Sequence, residues 1–433
     1  MSRLFSLLVV TGLMAGCGTE SPDEETAVDL DSLARDYVVL ELAMGLHDAA
    51  HVDAYFGPPE LRDVARDEGL SLADIDARAA ALATALATAG SRASSPLANA
   101  RVDGLLGRLR ALRTRVAINE GHLPAFDEES ERLFGVTAPD HDAAHFDAII
   151  RRIDALLQGH GPVAQRVVDF RKNFIVPPAR LPAVFNAAIA ECRARTIANM
   201  DLPDNEAFTI EYVNDKSWSG YNWYQGNARS LIQINTDLPI YISRAVDLGC
   251  HEGYPGHHTY NLLLEENLVE GEGWIEYSLY PLFSPQSLIA EGSGNYGIKL
   301  AFPGESRVAF EKEVLFPLAG LDPTDADRYY ELQALLDKLD YADNEAARDY
   351  LDGRIDAQQA AQWLVAYKLM SPERARQRVA FIDTYRSYVI NYNLGRDMVA
   401  DYIERGETTA DERWARFARL LSTPLMPADL QRR

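Results

Sequence analysis

From about residue 30, apolar side chains recur at three- and four-residue spacing, the period of a helix that buries one face. The pattern predicts helices over 30–50, 71–89, 97–117, 143–157, 163–175 and 182–200. Breaks fall at Gly57-Pro58-Pro59, Gly90-Ser91, Pro139, the stretch from Gly159 to Pro162, and Pro177-Pro178, where backbone geometry or a missing N–H ends a helix. The texture changes after about residue 207. Trp218, Tyr221, Trp223 and Tyr224 crowd a Gly- and Asn-containing stretch, and Leu231-Ile232-Gln233-Ile234-Asn235 alternates as a strand does. Asn235, Thr236 or Asp237 can cap the helix that follows, with Pro239 tolerated in its first turn. A later helix opens at Ser371-Pro372-Glu373. The expected fold is mainly α, a multi-helix unit with a small β-sheet. Its parts are an N-terminal helical stretch, 30–206, and a second, 207–433, joined as one continuous globular unit, 30–433.

The first thirty residues follow another pattern. Arg3 precedes a short apolar run that closes on Ala15-Gly16-Cys17. The run is too short for a bilayer, which needs about 20 apolar residues, and it reads as an export signal over 1–16. Its ending resembles a bacterial lipoprotein signal, in which the cysteine is lipidated, with Met14 at the usual Leu position. Cys17 is then the lipidation site and 17–29 an acidic tether. Gly18 after the cysteine fits the outer membrane or periplasmic face of a two-membrane bacterium. The expected location is the bacterial cell envelope, with lipid as the only membrane attachment.

Composition narrows the functions. Acidic residues number 65 against 42 Lys+Arg, a formal charge of −23, and no basic run interrupts them, so no nucleic-acid partner is expected. Three cysteines exclude a disulfide-dense scaffold. If Cys17 carries lipid, Cys192 and Cys250 remain; spacing does not tell whether they pair, and Cys250 reads as a packing residue.

Histidine placement carries the chemistry. One octapeptide recurs, His47-Asp48-Ala49-Ala50-His51-Val52-Asp53-Ala54 and His141-Asp142-Ala143-Ala144-His145-Phe146-Asp147-Ala148. Each copy suggests two histidines one helical turn apart, but Asp is a methylene shorter than the Glu a zinc hydrolase places there, so both read as exposed helix faces. The segment Asp247-Leu248-Gly249-Cys250-His251-Glu252-Gly253-Tyr254-Pro255-Gly256-His257-His258 is different. Zinc hydrolysis needs N or O ligands, an open position and a carboxylate to take a proton from water. The familiar H-E-x-x-H spacing is absent, because Pro255 stands at i+4. Pro255-Gly256 must distort the helix, and a two-residue bulge brings His257 onto the face of His251. His258 is the alternate ligand if the bulge is larger, and Glu252 is the expected general base.

The run His-Glu-Gly-Tyr-Pro-Gly-His-His resembles the signature of the bacterial domain-of-unknown-function 885 family, which is similar to gluzincin-type zinc metallopeptidases. The resemblance implies a gluzincin-like domain, one zinc ion, a sheet near the active-site cleft, and a third ligand on a second helix. Ala290-Glu291-Gly292-Ser293-Gly294-Asn295-Tyr296-Gly297 fits that place, after Ser284-Pro285. Glu291 is preferred over the alternate Glu272, which lies in a Gly-rich turn, because Gly292, Gly294 and Gly297 let its helix come close. Asp247 and Asn295 are placed to orient the ligands by accepting imidazole N–H groups.

Tyr385, Tyr388, Tyr392 and Arg396 fall on one helical stripe, and Tyr392-Asn393-Leu394-Gly395 resembles the family's Tyr-x-x-Gly. Tyr392 is then an oxyanion donor with Tyr388 as alternate, and Arg396 or Arg386 a holder of a substrate carboxylate. Strand 231–235 is expected to pair with an extended peptide, with Trp218 and Trp223 lining subsites. The expected function is an envelope-tethered zinc metallopeptidase acting on peptides. The alternatives are a zinc-dependent esterase or amidase acting on a small ester or amide, and a non-catalytic metal- or ligand-binding lipoprotein.

Overall fold

The computed structural model describes residues 29–90 and 95–431; the expected export signal, Cys17 and the expected tether up to residue 28 lie outside the described residues. The expected N-terminal helices form as Leu30–His47, Leu72–Gly90, Pro96–Asn119, Ala143–Leu156, Val163–Arg171 and Leu181–Ile197. Side-chain oxygens set several starts. Asp29 accepts from the Asp31 amide, Ser95 from Ala98, Asp142 from His145 and Ser371 from Arg374. Each bond satisfies an amide that has no partner inside the helix.

The fold is mainly helical with small sheets. Among the described residues five strands form: β1 (Val52–Tyr55), β2 (Ala207–Val213), β3 (Gly220–Gly226), β4 (Arg229–Asn235) and β5 (Leu279–Pro281). β1 and β5 pair antiparallel. The other three are ordered β2-β4-β3, with β4 parallel to β2 and antiparallel to β3. The strand expected at 231–235 is therefore central, and both of its edges are already paired. Alternation reported a half-buried strand, with Ile232 and Ile234 in the core, but a strand's own pattern does not say which neighbours it has.

The two octapeptides differ from expectation as well. Leu30–His47 ends at the first histidine, and Asp48 turns the chain toward β1. His51 is buried, with Nε2 on the Glu41 carboxylate. In the second copy the helix starts only at Ala143, so His141 precedes it and its ring stacks on His145 at 4.3 Å. The same letters end one helix and cap another, because Asp serves at either place.

Two close approaches frame the metal-motif segment. Helix Pro285–Ala301 crosses helix Ile390–Ile403 where Gly292 meets Gly395. A Cβ on Gly292 would lie 2.4 Å from the Gly395 carbonyl oxygen, and one on Gly395 would lie 2.6 Å from that of Leu288. On the other side, Cys192 of Leu181–Ile197 is disulfide-bonded to Cys250, so Cys250 is a covalent tie rather than a simple packing residue. No helix among the described residues is long and apolar enough to cross a membrane.

Candidate metal centre

His251 stands in a widened helical turn, Gly249–Gly253, that continues helix Ser243–Leu248. The chain then breaks at Tyr254-Pro255, a cis peptide, and a new helix runs from His257 to Leu264. The expected bulge is thus a break between two helices. Gly256 makes it feasible: its amide donates to the Cys250 carbonyl at 3.0 Å, and a Cβ there would lie 1.8 Å from the His251 carbonyl oxygen. The result for the histidines is the one expected, with Nε2 of His251 and Nε2 of His257 only 3.1 Å apart.

Glu291 completes the set from helix Pro285–Ala301. Its Oε2 lies 3.1 Å from His251 Nε2 and 3.7 Å from His257 Nε2. Gly294 lets that helix lie against the His251 ring, where a Cβ would come within 2.8 Å, and Gly297 faces Pro255. Gly292 does not serve this contact, since it faces Gly395. Ser284 precedes the helix, but its hydroxyl donates back to Pro281 instead of capping.

The donor geometry fits zinc. A tetrahedral ion with bonds of about 2.0–2.1 Å separates its ligand atoms by roughly 3.4 Å, and the three observed separations bracket that value. Glu291 Oε2 is buried with no hydrogen-bond donor, an arrangement that costs free energy unless a cation faces it. Burial would lower His257, but the Glu291 carboxylate outweighs it and holds the imidazole up at about 9. Burial would likewise raise Glu291, yet the two histidines hold it far below the usual carboxylate range. The pocket favours positive charge where these three residues converge.

Glu252 is buried beside the set, and its carboxylate packs against Gly220 at the start of β3, where a Cβ would lie 2.7 Å from Oε1. Burial raises its pKa, with Glu291 adding to the rise and His251 and His257 opposing it. Asn222 of β3 donates to the Glu252 carbonyl at 2.7 Å, which ties strand to motif.

Several expected residues stand elsewhere. His258 is fully buried with both nitrogens engaged, Nδ1 with Ser230 at 2.8 Å and Nε2 with Glu206 at 3.2 Å, so it is not a donor to the set. Glu272 is exposed in its turn. Asp247 pairs with Arg307 at 2.8 Å, and Asn295 donates its amide to the Tyr392 carbonyl at 2.9 Å. Neither supports an imidazole: His251 Nδ1 is buried without a partner. Trp218 lines the cavity, while Trp223 is exposed and is not part of its lining.

The tyrosine stripe is broken. Helix Pro372–Tyr385 ends at Arg386, whose φ is +53°, and helix Ile390–Ile403 follows a short turn. Glu129 holds that turn, accepting from Arg386 Nε at 2.6 Å and from the Ser387 amide and hydroxyl. Arg386 is thereby structural. Arg396 lines the cavity but pairs with Asp340 at 3.1 Å and Asp397 at 3.0 Å. Tyr388 donates to Glu291 Oε1 at 2.8 Å, so it positions a donor, and Tyr392 is left on the cavity wall.

With the geometry in place, comparison with known proteins adds little chemistry. No family model and no curated protein matches the sequence. Among solved structures, the chain is similar to a candidate lipoprotein from Colwellia psychrerythraea, at 13% identity and a TM-score of 0.48, over 81% of this chain and 69% of that one. It is also similar to an M32 carboxypeptidase from Deinococcus radiodurans R1, at 14% identity and a TM-score of 0.43, over 92% of each chain. At these identities and scores the likenesses carry no information about the reaction.

Two buried carboxylates, one lining the cavity and one behind it, were given no role from the sequence. Asp53 of β1 lines the cavity, and burial raises its carboxyl to about 7, with Tyr221 and His257 opposing and Glu291 and Glu252 adding. The Tyr221 hydroxyl donates to the Asp53 carbonyl at 3.0 Å. Glu206 holds His258 and Arg193. Burial would raise it, but bonds from His258, Tyr254 and Arg193 bring it down to about 2. The repeated octapeptide did mark Asp53's position, though not its strand.

Proposed function

We propose that the protein is an envelope-tethered, zinc-dependent hydrolase that cleaves peptides. What carries the reading is the convergence of His251, His257 and Glu291 with the buried carboxylate of Glu252 at the wall of a cavity of about 1370 Å³. A zinc ion held by the three donors would supply Lewis acidity to the scissile carbonyl and make a water easier to deprotonate. Glu252 takes the proton from the attacking water as its oxygen adds to the carbonyl carbon, and then gives it to the leaving nitrogen as the carbonyl re-forms and the C–N bond breaks. Tyr388 fixes Glu291 through its hydroxyl, and Tyr392 donates to the oxygen on which negative charge develops. The outer edge of β3, beginning beside Glu252, takes the peptide-pairing role expected of β4.

The test compares metal-loaded wild type with Glu252→Gln on a mixed peptide library read by mass spectrometry. The variant should keep stoichiometric zinc and lose at least ~100-fold in rate, the lower end of general acid–base contributions. Equal cleavage by both proteins overturns the mechanism. Cleavage of simple esters but not peptides moves the reading to an esterase, and cleavage of neither favours a binding lipoprotein. The tether belongs to the same proposal: Cys17→Ser should shift the protein from the membrane fraction to the soluble one on fractionation.

A further inference from the structure

The arginines that line the cavity are not equivalent. Arg307 pairs with Asp247 at 2.8 Å and Glu311 at 2.7 Å, Arg378 with Asp343 at 3.3 Å, and Arg396 with two aspartates. Arg374 has no carboxylate partner among the described residues. Its Nη2 donates to the Pro239 carbonyl at 2.6 Å, and its guanidinium lies 5.4 Å from the Tyr241 ring centroid. Arg171 stacks on the same ring at 4.1 Å, with a buried Nε that has no partner. Arg244 reaches only Asp247, at 3.5 Å, a carboxylate that Arg307 already holds more closely.

Arg171 and Arg374 thus share the Tyr241 ring, Arg244 follows three residues on with its amide donating to the Tyr241 carbonyl at 2.9 Å, and the three guanidinium groups have a share in one carboxylate. The chain carries 65 acidic against 42 basic residues, so a shortage of carboxylates here is a local feature and not one of composition. Cations half-withdrawn from water and set side by side are costly unless an anion joins them. Burial and the neighbouring charges of Arg171 and Arg244 push Arg374 below its ordinary range, the direction expected where an anion would complete the group. A carboxylate matches the guanidinium fork with two parallel hydrogen bonds.

Distance links this cluster to the metal centre. Arg244 precedes His251 by seven residues on one helical run, Ser243–Gly253, which is about 10.5 Å along the axis. An extended peptide advances roughly 3.3–3.6 Å per residue, so one or two residues plus the reach of an arginine side chain span the interval. We infer that Arg244 and Arg374 receive the free C-terminal carboxylate of a peptide, so that the enzyme removes one or two residues from the C-terminal end. This rests on the hydrolase reading for the cleavage step, while carboxylate recognition stands on the cluster itself.

The experiment uses zinc-loaded full-length mature protein and pairs of peptides identical except for a free acid or an amide at the C-terminus. Wild type should cleave the acid with a kcat/KM roughly 10- to 100-fold above the amide, the factor expected of a charge-assisted pair. Arg374→Gln and Arg244→Gln should each shrink that ratio toward one, mainly through KM. In parallel, calorimetry with Glu252→Gln measures binding of the same pairs without turnover. Arg244 is partly exposed, so its variant keeps the test open if Arg374→Gln folds poorly. Equal handling of acid and amide in both assays, or cleavage at internal bonds, overturns the inference while leaving the hydrolase reading intact. Tight selective binding of the acid without cleavage by wild type upholds carboxylate recognition by the cluster and overturns both the cleavage step and the hydrolase reading.

Discussion

Two of the three histidines between His251 and His258 turn a nitrogen toward Glu291, and the third has no nitrogen to spare. Metal analysis of purified variants should follow that division. His251→Ala, His257→Ala and Glu291→Gln should each lose stoichiometric zinc, and Glu272→Gln should keep it. His258→Ala should also keep it, yet denature at lower urea, by about 1–3 kcal/mol, because Ser230 and Glu206 lose a buried partner. A variant at His258 that loses zinc while His257→Ala retains it would reverse the assignment. The three donors and Glu252 were legible because a short motif, and a second one forty residues on, carry them. The cationic assignments were not. Arg386 is held by Glu129, 257 residues earlier in the chain, and no local pattern announces a partner at that distance.

Helices were readable from their apolar period and caps; their interruptions were readable only where Gly or Pro marks them. Arg386 adopts a positive φ with neither residue present, which is why the tyrosine stripe seemed continuous in sequence. The break between His251 and His257 was signalled by Pro255-Gly256, though as a bulge and not as two helices. β4 shows the same limit, since alternation reveals burial and not rank within a sheet. Glycine within helices offers a test of opposite signs. Gly395→Ala should destabilise by at least ~1–3 kcal/mol through overpacking against the Leu288 carbonyl, and weaken zinc binding because the displaced helix carries Glu291. Gly104→Ala, whose nearest neighbour would be the Tyr277 hydroxyl at 3.7 Å, should instead stabilise by up to about 1 kcal/mol. Urea midpoints and zinc titration of both variants check the pair, and a Gly395→Ala protein as stable and as tightly metallated as wild type would refute the account.

At the scale of the molecule, the bond between Cys192 and Cys250 closes a loop with a sequence separation of 58. Loop-closure entropy for that length corresponds to about 4 kcal/mol. Cys192→Ala with Cys250→Ala should lower the unfolding free energy by that order in urea titration, and added reductant should change the wild type but not the double variant. The bond also joins the residue immediately before His251 to a separate helix. Thiols pair where the surroundings are oxidising and stay reduced in the cytosol, so in the proposed envelope location the helix that carries the first donor would receive its anchor only after export. On the proposed function the chain would be assembled in an order: translation first, passage out second, fixing of the first histidine last. Its own ribosomal neighbourhood would then be spared a finished enzyme.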